Sequence, residues 1–382
     1  MAAPTLVLAA CAALGPPAAA AAVRRRAGAV ELLSLSPKFD RLFPDGVVGE
    51  VALAEGRNAA EPLRWLEGPT WLEEPGGAAG DGEDVRATVL VSDVIGNRIW
   101  RWREPAFTPR ARTTGGEANI FLEPSGRAQS GGTRLKEPGS NGLLWSAAHR
   151  LLFLCDHGNR RIAVARPPPA SAGGFSGEWV GPTTLVSRAV VDGKARRLNS
   201  PNDLAFAPDG SLWFTDNQVD GMGDDIPPGE LNRQTEAGQH FGFPWTNGRV
   251  EIPDYKNVPR PEGVSFTEPQ VEMQAHAADL GMRFYEGSSF PEKYQGGIFS
   301  AQHGSWNRTT PIGARVMFTA LDEEGNAAGT EVFADGWLNE ETGEYRGRPM
   351  DIAFLKDGSM LVSDDFAGAI WRIAYNPAPA SE

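Results

Sequence analysis

The chain has 382 residues, 41% of them apolar, with 45 Gly, 30 Pro, 11 Trp and 18 Phe, which suits one large turn-rich all-β domain or two smaller ones. A net charge of -13 argues against nucleic acid, whose phosphates need a basic face. The two cysteines, Cys11 and Cys155, support neither a disulfide framework nor a cysteine-based metal site.

In chain order, residues 1–30 come first and are almost all Ala and Leu before Arg24, Arg25 and Arg26. They read as a signal peptide of a secreted, periplasmic or endomembrane protein, with an Arg-rich organelle transit peptide as the alternative. Leu8-Ala9-Ala10-Cys11 also looks like a lipoprotein cleavage box. No later segment has about 18 consecutive apolar residues, so no membrane span is expected.

Residues 39–376 carry a repeat, and 377–382 form a tail. Each unit is a short apolar strand, a Gly, Asp or Asn turn, and further short strands. Glu67-Gly-Pro-Thr-Trp71 opens the first, and Ser140-Asn-Gly-Leu-Leu-Trp145 the second. Asn202-Asp-Leu-Ala-Phe206, Leu280-Gly-Met-Arg-Phe284 and Met350-Asp-Ile-Ala-Phe354 open the other three. No stretch holds a long helical period. Units of four strands around an axis predict a single closed β-propeller with five recognisable blades. Residues 221–274 are Pro-rich and poor in strand signal; they read as a loop over one face or as part of a weak blade.

In a propeller the first strand of each blade lines the central channel. The residue before each apolar run then sits near one mouth, giving a ring of Glu67, Asn141, Asn202, Leu280 and Met350. One carboxylate and two amide oxygens on an axis suit a hard cation such as Ca²⁺. The plainer reading has Asn and Asp at strand entrances making only local turn hydrogen bonds.

These residues also carry two resemblances. Over 39–216 the sequence resembles the gluconolactonase and regucalcin family of six-bladed propellers, through EGPTW, SDVIGNRIWRW, EPGSNGLLW, CDHGNRRIA and RLNSPNDLAF. That resemblance implies a divalent-metal site containing Glu67 and Asn202, with Asn141 beside the substrate. The family's later Pro-Asn-Gly and Asp-Gly ligand motifs do not appear in the expected setting after Asp216. Over 198–375 the chain resembles the PQQ-dependent sorbosone and pyranose dehydrogenases, through MGDDIPPGELNRQTEAGQHFGFPW, AADLGMRFYEGSSFPEKYQGGIFSAQHGSWNR and GRPMDIAFLKDGSMLVSDD. This implies His303, Arg308, His276 and the acidic loop 220–225 around a quinone and its Ca²⁺. Val219 stands where that family carries an Arg, and the first half has nothing like its catalytic-His blade. The two resemblances overlap at LNSPNDLAFAPDGSLWFTDN, so three blades of one kind run into three of the other by sharing one.

The favoured reading is a metal-dependent lactonase acting on a sugar lactone such as gluconolactone. Glu67, Asn202 and Asn141 would hold Ca²⁺, and Asp203 or Asp351 would act as base or complete the shell. A PQQ-dependent sugar dehydrogenase is the alternative, and a non-catalytic chimeric propeller the third reading. A monomer acting on a small sugar is expected in the enzymatic cases. Cys155 reads as a small buried apolar residue. Arg161 reads as solvated or paired with an acidic loop.

Overall fold

The computed structural model describes residues 25–26, 29–30, 47–54, 66–73, 87–104, 117–128, 137–147, 149–169, 178–191, 194–197, 203, 211–236, 239–260, 262–355 and 357–375. Asn202 and nearly all of the Ala- and Leu-rich leader lie outside them; within the leader only Arg25–Arg26 and Ala29–Val30 are seen, as a short antiparallel ladder.

The alternating apolar runs fold into four four-stranded antiparallel sheets and one three-stranded sheet, arranged as a five-bladed propeller. Blade one holds Leu66–Glu73, Ala87–Asp93, Arg98–Glu104 and Glu117–Leu122. Blade two holds Leu143–Ser146, Leu151–Asp156, Arg161–Arg166 and Val180–Val186. In blade three Leu212–Asp216, Gly229–Gln234 and Val271–Met273 are described. Blade four runs from Asp279–Phe284 through Ile298–Gln302 and Arg315–Leu321 to Ala327–Ala334. Blade five holds Pro349–Phe354, Met360–Asp364 and Ala369–Tyr375, and its fourth strand is Val47–Ala54 from the start of the chain. That pairing closes the ring and covers the edge of the last blade, which would otherwise present unpaired amides. No sixth blade is seen among the described residues. No helix among them is long and apolar enough to cross a membrane.

The repeated Asp at the end of the second strand has a local reason. Asp93 Oδ1 accepts the amide of Gly96, Asp156 Oδ1 that of Asn159, and Asp364 Oδ1 that of Ala367. In three blades, then, a buried carboxylate caps the turn into the third strand and satisfies amides the sheet leaves unpaired. Asp156 also takes Arg161 Nε at 2.6 Å, which settles the position of that arginine.

The core lies between neighbouring blades. Leu72, Leu90, Leu143, Leu152 and Leu154 pack blade one on blade two. Trp213, Leu231, Met273, Met282 and Ile298 join blades three and four. Tyr285, Phe299, Phe333, Trp337, Val362 and Trp371 join blades four and five. Leu66, Val91, Trp100, Leu361 and Ile370 join blade five back to blade one. Residues of the first and second halves therefore meet in the core between blades five and one.

Residues 221–274 resolve the choice left open by the sequence, because they do hold strands of blade three. Gly229–Gln234 pairs with Leu212–Asp216 on one side and with Val271–Met273 on the other. Between them a small folded insert groups His240, Trp245 and Phe266 with ring centroids 4.9 to 5.9 Å apart, and the Arg260 guanidinium lies over the Phe266 ring.

Candidate active site on the propeller axis

Four of the five inner strands bring described residues to the axis, and their order follows the repeat. Glu67 is 4% exposed and Asn141 5%. The Asn141 amide donates to the Cys155 carbonyl at 2.8 Å, and its own carbonyl accepts Ser92 Oγ at 2.7 Å. Ser92 is the cross-strand partner of Glu67, so Ser92 ties the Glu67 strand to Asn141. The Asn141 side-chain oxygen, buried and without a hydrogen-bond partner, is a costly group to leave in this state. Leu280 and Met350 also stand at strand entrances: the Leu280 carbonyl accepts Thr215 Oγ1, and Met350 is buried. Neither side chain offers an oxygen.

One step further along the strands, the packing turns on glycine. Gly68 has φ 56°, and a Cβ there would lie 2.3 Å from the Leu143 amide nitrogen. A Cβ on Gly281 would lie 1.9 Å from Asp351 Oδ1. The bare backbones let blades approach closely and leave room for three further charged side chains.

Those three are Asp203, Arg283 and Asp351. Arg283 Nη1 donates to Asp203 Oδ2 at 2.8 Å and to the Met282 carbonyl at 2.7 Å. Its Nη2 lies 3.4 Å from Asp351 Oδ2, 3.4 Å from the Leu143 carbonyl and 3.5 Å from Asp203 Oδ1. The Asp351 carboxyl is the most enclosed, with a side chain 1% exposed; those of Arg283 and Asp203 are 11% and 19% exposed. Burial pushes Asp351 well above the usual carboxylate range, Arg283 opposes the shift, and Asp203 adds to it. Burial alone would weaken the Arg283 guanidinium as a base, but Asp203 and Asp351 together hold it above its ordinary value. Cys155, fully buried beside them, has its thiol raised by burial and then by Asp203.

Sequence reasoning singled out Asp203 and Asp351 and missed the arginine that joins them. The available signal was a charged residue two positions after Gly281 in an apolar inner strand, on the face that alternation turns toward the axis.

The second group of expected residues lies around the 220–226 loop. His276 Nε2 meets the carbonyls of Gly223 at 2.8 Å and Ile226 at 3.0 Å, so Nε2 carries the proton. Its Nδ1 then accepts from Asn307 Nδ2 at 3.2 Å, and the same amide reaches Asp220 at 2.6 Å. Arg308 donates through Nη1 to the carbonyls of Asp224 and Ala275. His276 and Arg308 are thus brought together. The His303 ring instead pairs with Asp365 of blade five at 2.8 Å, while its amide bonds the Ala278 carbonyl. Among the described residues no three His, Cys, Asp or Glu side chains group to hold a metal.

The fold is that of a β-propeller. Residues 65–241 match the family model of the SMP-30/gluconolactonase/LRE-like region, and residues 261–376 match the TrAA12-like model. A protein named gluconolactonase from Zymomonas mobilis subsp. mobilis is 29% identical over 188 residues, 49% of this chain and 40% of that one. An uncharacterized protein of Borreliella burgdorferi is 39% identical over 165 residues, 43% of each chain. The chain thus spans less than half the length of these two relatives.

Two solved structures share the fold. The calcium structure of Trichoderma reesei Carbohydrate-Active Enzymes Family AA12 aligns with TM-score 0.53 at 14% identity, over 87% of this chain and 96% of that one. The holo form of the pyranose dehydrogenase PQQ domain from Coprinopsis cinerea gives TM-score 0.53 at 12% identity, over 86% and 95%.

Proposed function

We propose that the protein is a divalent-cation-dependent lactonase that opens a sugar lactone such as gluconolactone at the propeller axis. The observation that carries this reading is the buried, unpartnered side-chain oxygen of Asn141, tied through Ser92 to the Glu67 strand. The gluconolactonase-like match over residues 65–241 supports it. An acceptor oxygen without a donor fits a cation ligand, and the residues that would hold Ca²⁺ are Glu67, Asn141 and, in the same register, Asn202. When bound, the ion would polarise the lactone carbonyl and make a coordinated water more acidic.

The chain's own groups divide the proton work. Asp203, open to water and held by Arg283, takes a proton from the attacking water as its oxygen bonds to the carbonyl carbon. Asp351, kept protonated by burial, gives its proton to the ring oxygen as the carbon–oxygen bond breaks. The product is the aldonic acid. Arg283 keeps the two carboxyls in place.

A PQQ-dependent sugar dehydrogenase is the second reading, supported by the TrAA12-like match over residues 261–376. Against it, both ring nitrogens of His276 are engaged by Gly223, Ile226 and Asn307. A pH-stat assay separates the two. The lactonase releases acid from gluconolactone without an electron acceptor and stops in EDTA. Reduction of a dye by an aldose that depends on added PQQ, and is lost in His303→Ala, would replace this reading. A folded protein with neither activity would leave the propeller non-catalytic.

A further inference from the structure

We infer that Arg283 is a resident cation of the propeller axis, and that its charge keeps the divalent-ion affinity of the mouth low. The site is that of the proposed lactonase, but the inference concerns binding and stands or falls without activity. At this axis Asp203 and Asp351 both reach Arg283, and Glu67 precedes Gly68, whose backbone lies against Leu143. Ionised, Asp203 and Asp351 would repel one another and attract a cation from solvent. The chain supplies one of its own: Arg283 bonds Asp203 at 2.8 Å and reaches Asp351 at 3.4 Å.

Its placement depends on the glycines. Gly281, two residues earlier on the same strand, leaves room for the Asp351 side chain, and Gly68 lets the Leu143 backbone come close. The Leu143 carbonyl in turn receives Arg283 Nη2 at 3.4 Å. The guanidinium fits imperfectly on that side, because three acceptors share Nη2 at 3.4 to 3.5 Å. The independent observation is Asn141, two residues before Leu143, whose buried side-chain oxygen has no hydrogen-bond partner. A divalent ion entering beside Glu67 and Asn141 meets a fixed positive charge that already holds two of the available carboxylates. Removing that charge frees Asp203 and Asp351 as ligands.

The test is calorimetric titration of Ca²⁺ into chelator-stripped full-length protein, with terbium luminescence as a second probe. Wild type should bind weakly. Arg283→Met and Arg283→Gln should each bind at least tenfold more tightly, and Arg283→Lys should stay near wild type. Adding Asp203→Asn and Asp351→Asn to Arg283→Gln should abolish the gain. Glutamine can still donate to Asp203, so it serves if the methionine variant does not fold. Folded Arg283→Gln with wild-type affinity would overturn the inference, and so would equal tightening by lysine, which would make space rather than charge the cause. If the gain appears while acid release from gluconolactone is absent, the inference holds and the lactonase reading fails.

Discussion

Arg283 Nη1 lies 2.8 Å from Asp203 Oδ2, joining the inner strand of blade four to the start of blade three. Asp203 falls in the gluconolactonase-like stretch and Arg283 in the TrAA12-like stretch, so one part-buried ion pair bridges the two. Removing one partner of a buried pair typically costs about 3–5 kcal/mol, because the other charge is stranded. Arg283→Met, measured by urea unfolding without divalent ions, should lose that much. Asp203→Asn should lose less, because water reaches Asp203 and screens the arginine left behind. Equal small losses would mean that the triad is solvated.

Phe299 is the hub of the core between blades four and five. Its ring meets those of Tyr285, Tyr294, Phe318, Phe333 and Phe354 at centroid distances from 4.6 to 5.8 Å. Phe299→Ala should destabilise by about 3–5 kcal/mol, the usual cost of an aromatic cavity. Phe299→Leu should cost roughly half of that. A loss under about 1 kcal/mol for alanine would show that this interface is loosely packed.

Stability should rise on acidification from pH 8 to pH 5. Burial pushes Asp279 up to about 7 and Asp364 up to about 6, and burial together with facing Glu230 pushes Asp216 up to about 6. A carboxyl with a raised folded value binds its proton more tightly when folded. Unfolding free energy therefore falls as pH rises from the unfolded value near 4 through the folded one. For Asp279 the effect is on the order of 3 kcal/mol at most. Asp279→Asn should flatten the part of the profile between pH 5 and 8, since Gln302 Nε2 can rotate to serve the amide oxygen. Unchanged pH dependence in that variant would place the titration elsewhere.

The closing strand has its own consequence. Val47–Ala54 covers Ala369–Tyr375 over the length of the strand. A chain starting after residue 55 should expose that edge and associate, seen as a shift to larger species on gel filtration. A monomeric truncated chain of unchanged stability would show that the closure contributes little.

Much of this architecture was legible in the sequence, and the reasons are physical. Gly, Asp or Asn turns and apolar alternation repeat along the units, and buried turn-capping carboxylates such as Asp93 and Asp364 recur at a fixed place in them. Gly229–Gln234 was not legible. Its buried residues include Glu230 and Asn232, which carry no hydrophobic signal; Asn232 Nδ2 donates to Glu230 Oε2 at 2.8 Å. At the axis, the strand entrances Glu67 and Asn141 could be read by register. The link from Asp203 to Asp351 through Arg283 could not, because it joins side chains from three blades and depends on the space left by Gly68 and Gly281.

The central claim is that the axis is the active site of a cation-dependent lactonase, and Glu67 tests it most directly. The measurement is acid release from gluconolactone by wild type and Glu67→Gln across a Ca²⁺ titration. With one ligand charge removed, the variant should need at least tenfold more Ca²⁺ for half-maximal rate and regain much of its activity at saturation. Acid release that ignores Ca²⁺, or a Glu67→Gln titration that overlays wild type, would contradict the account.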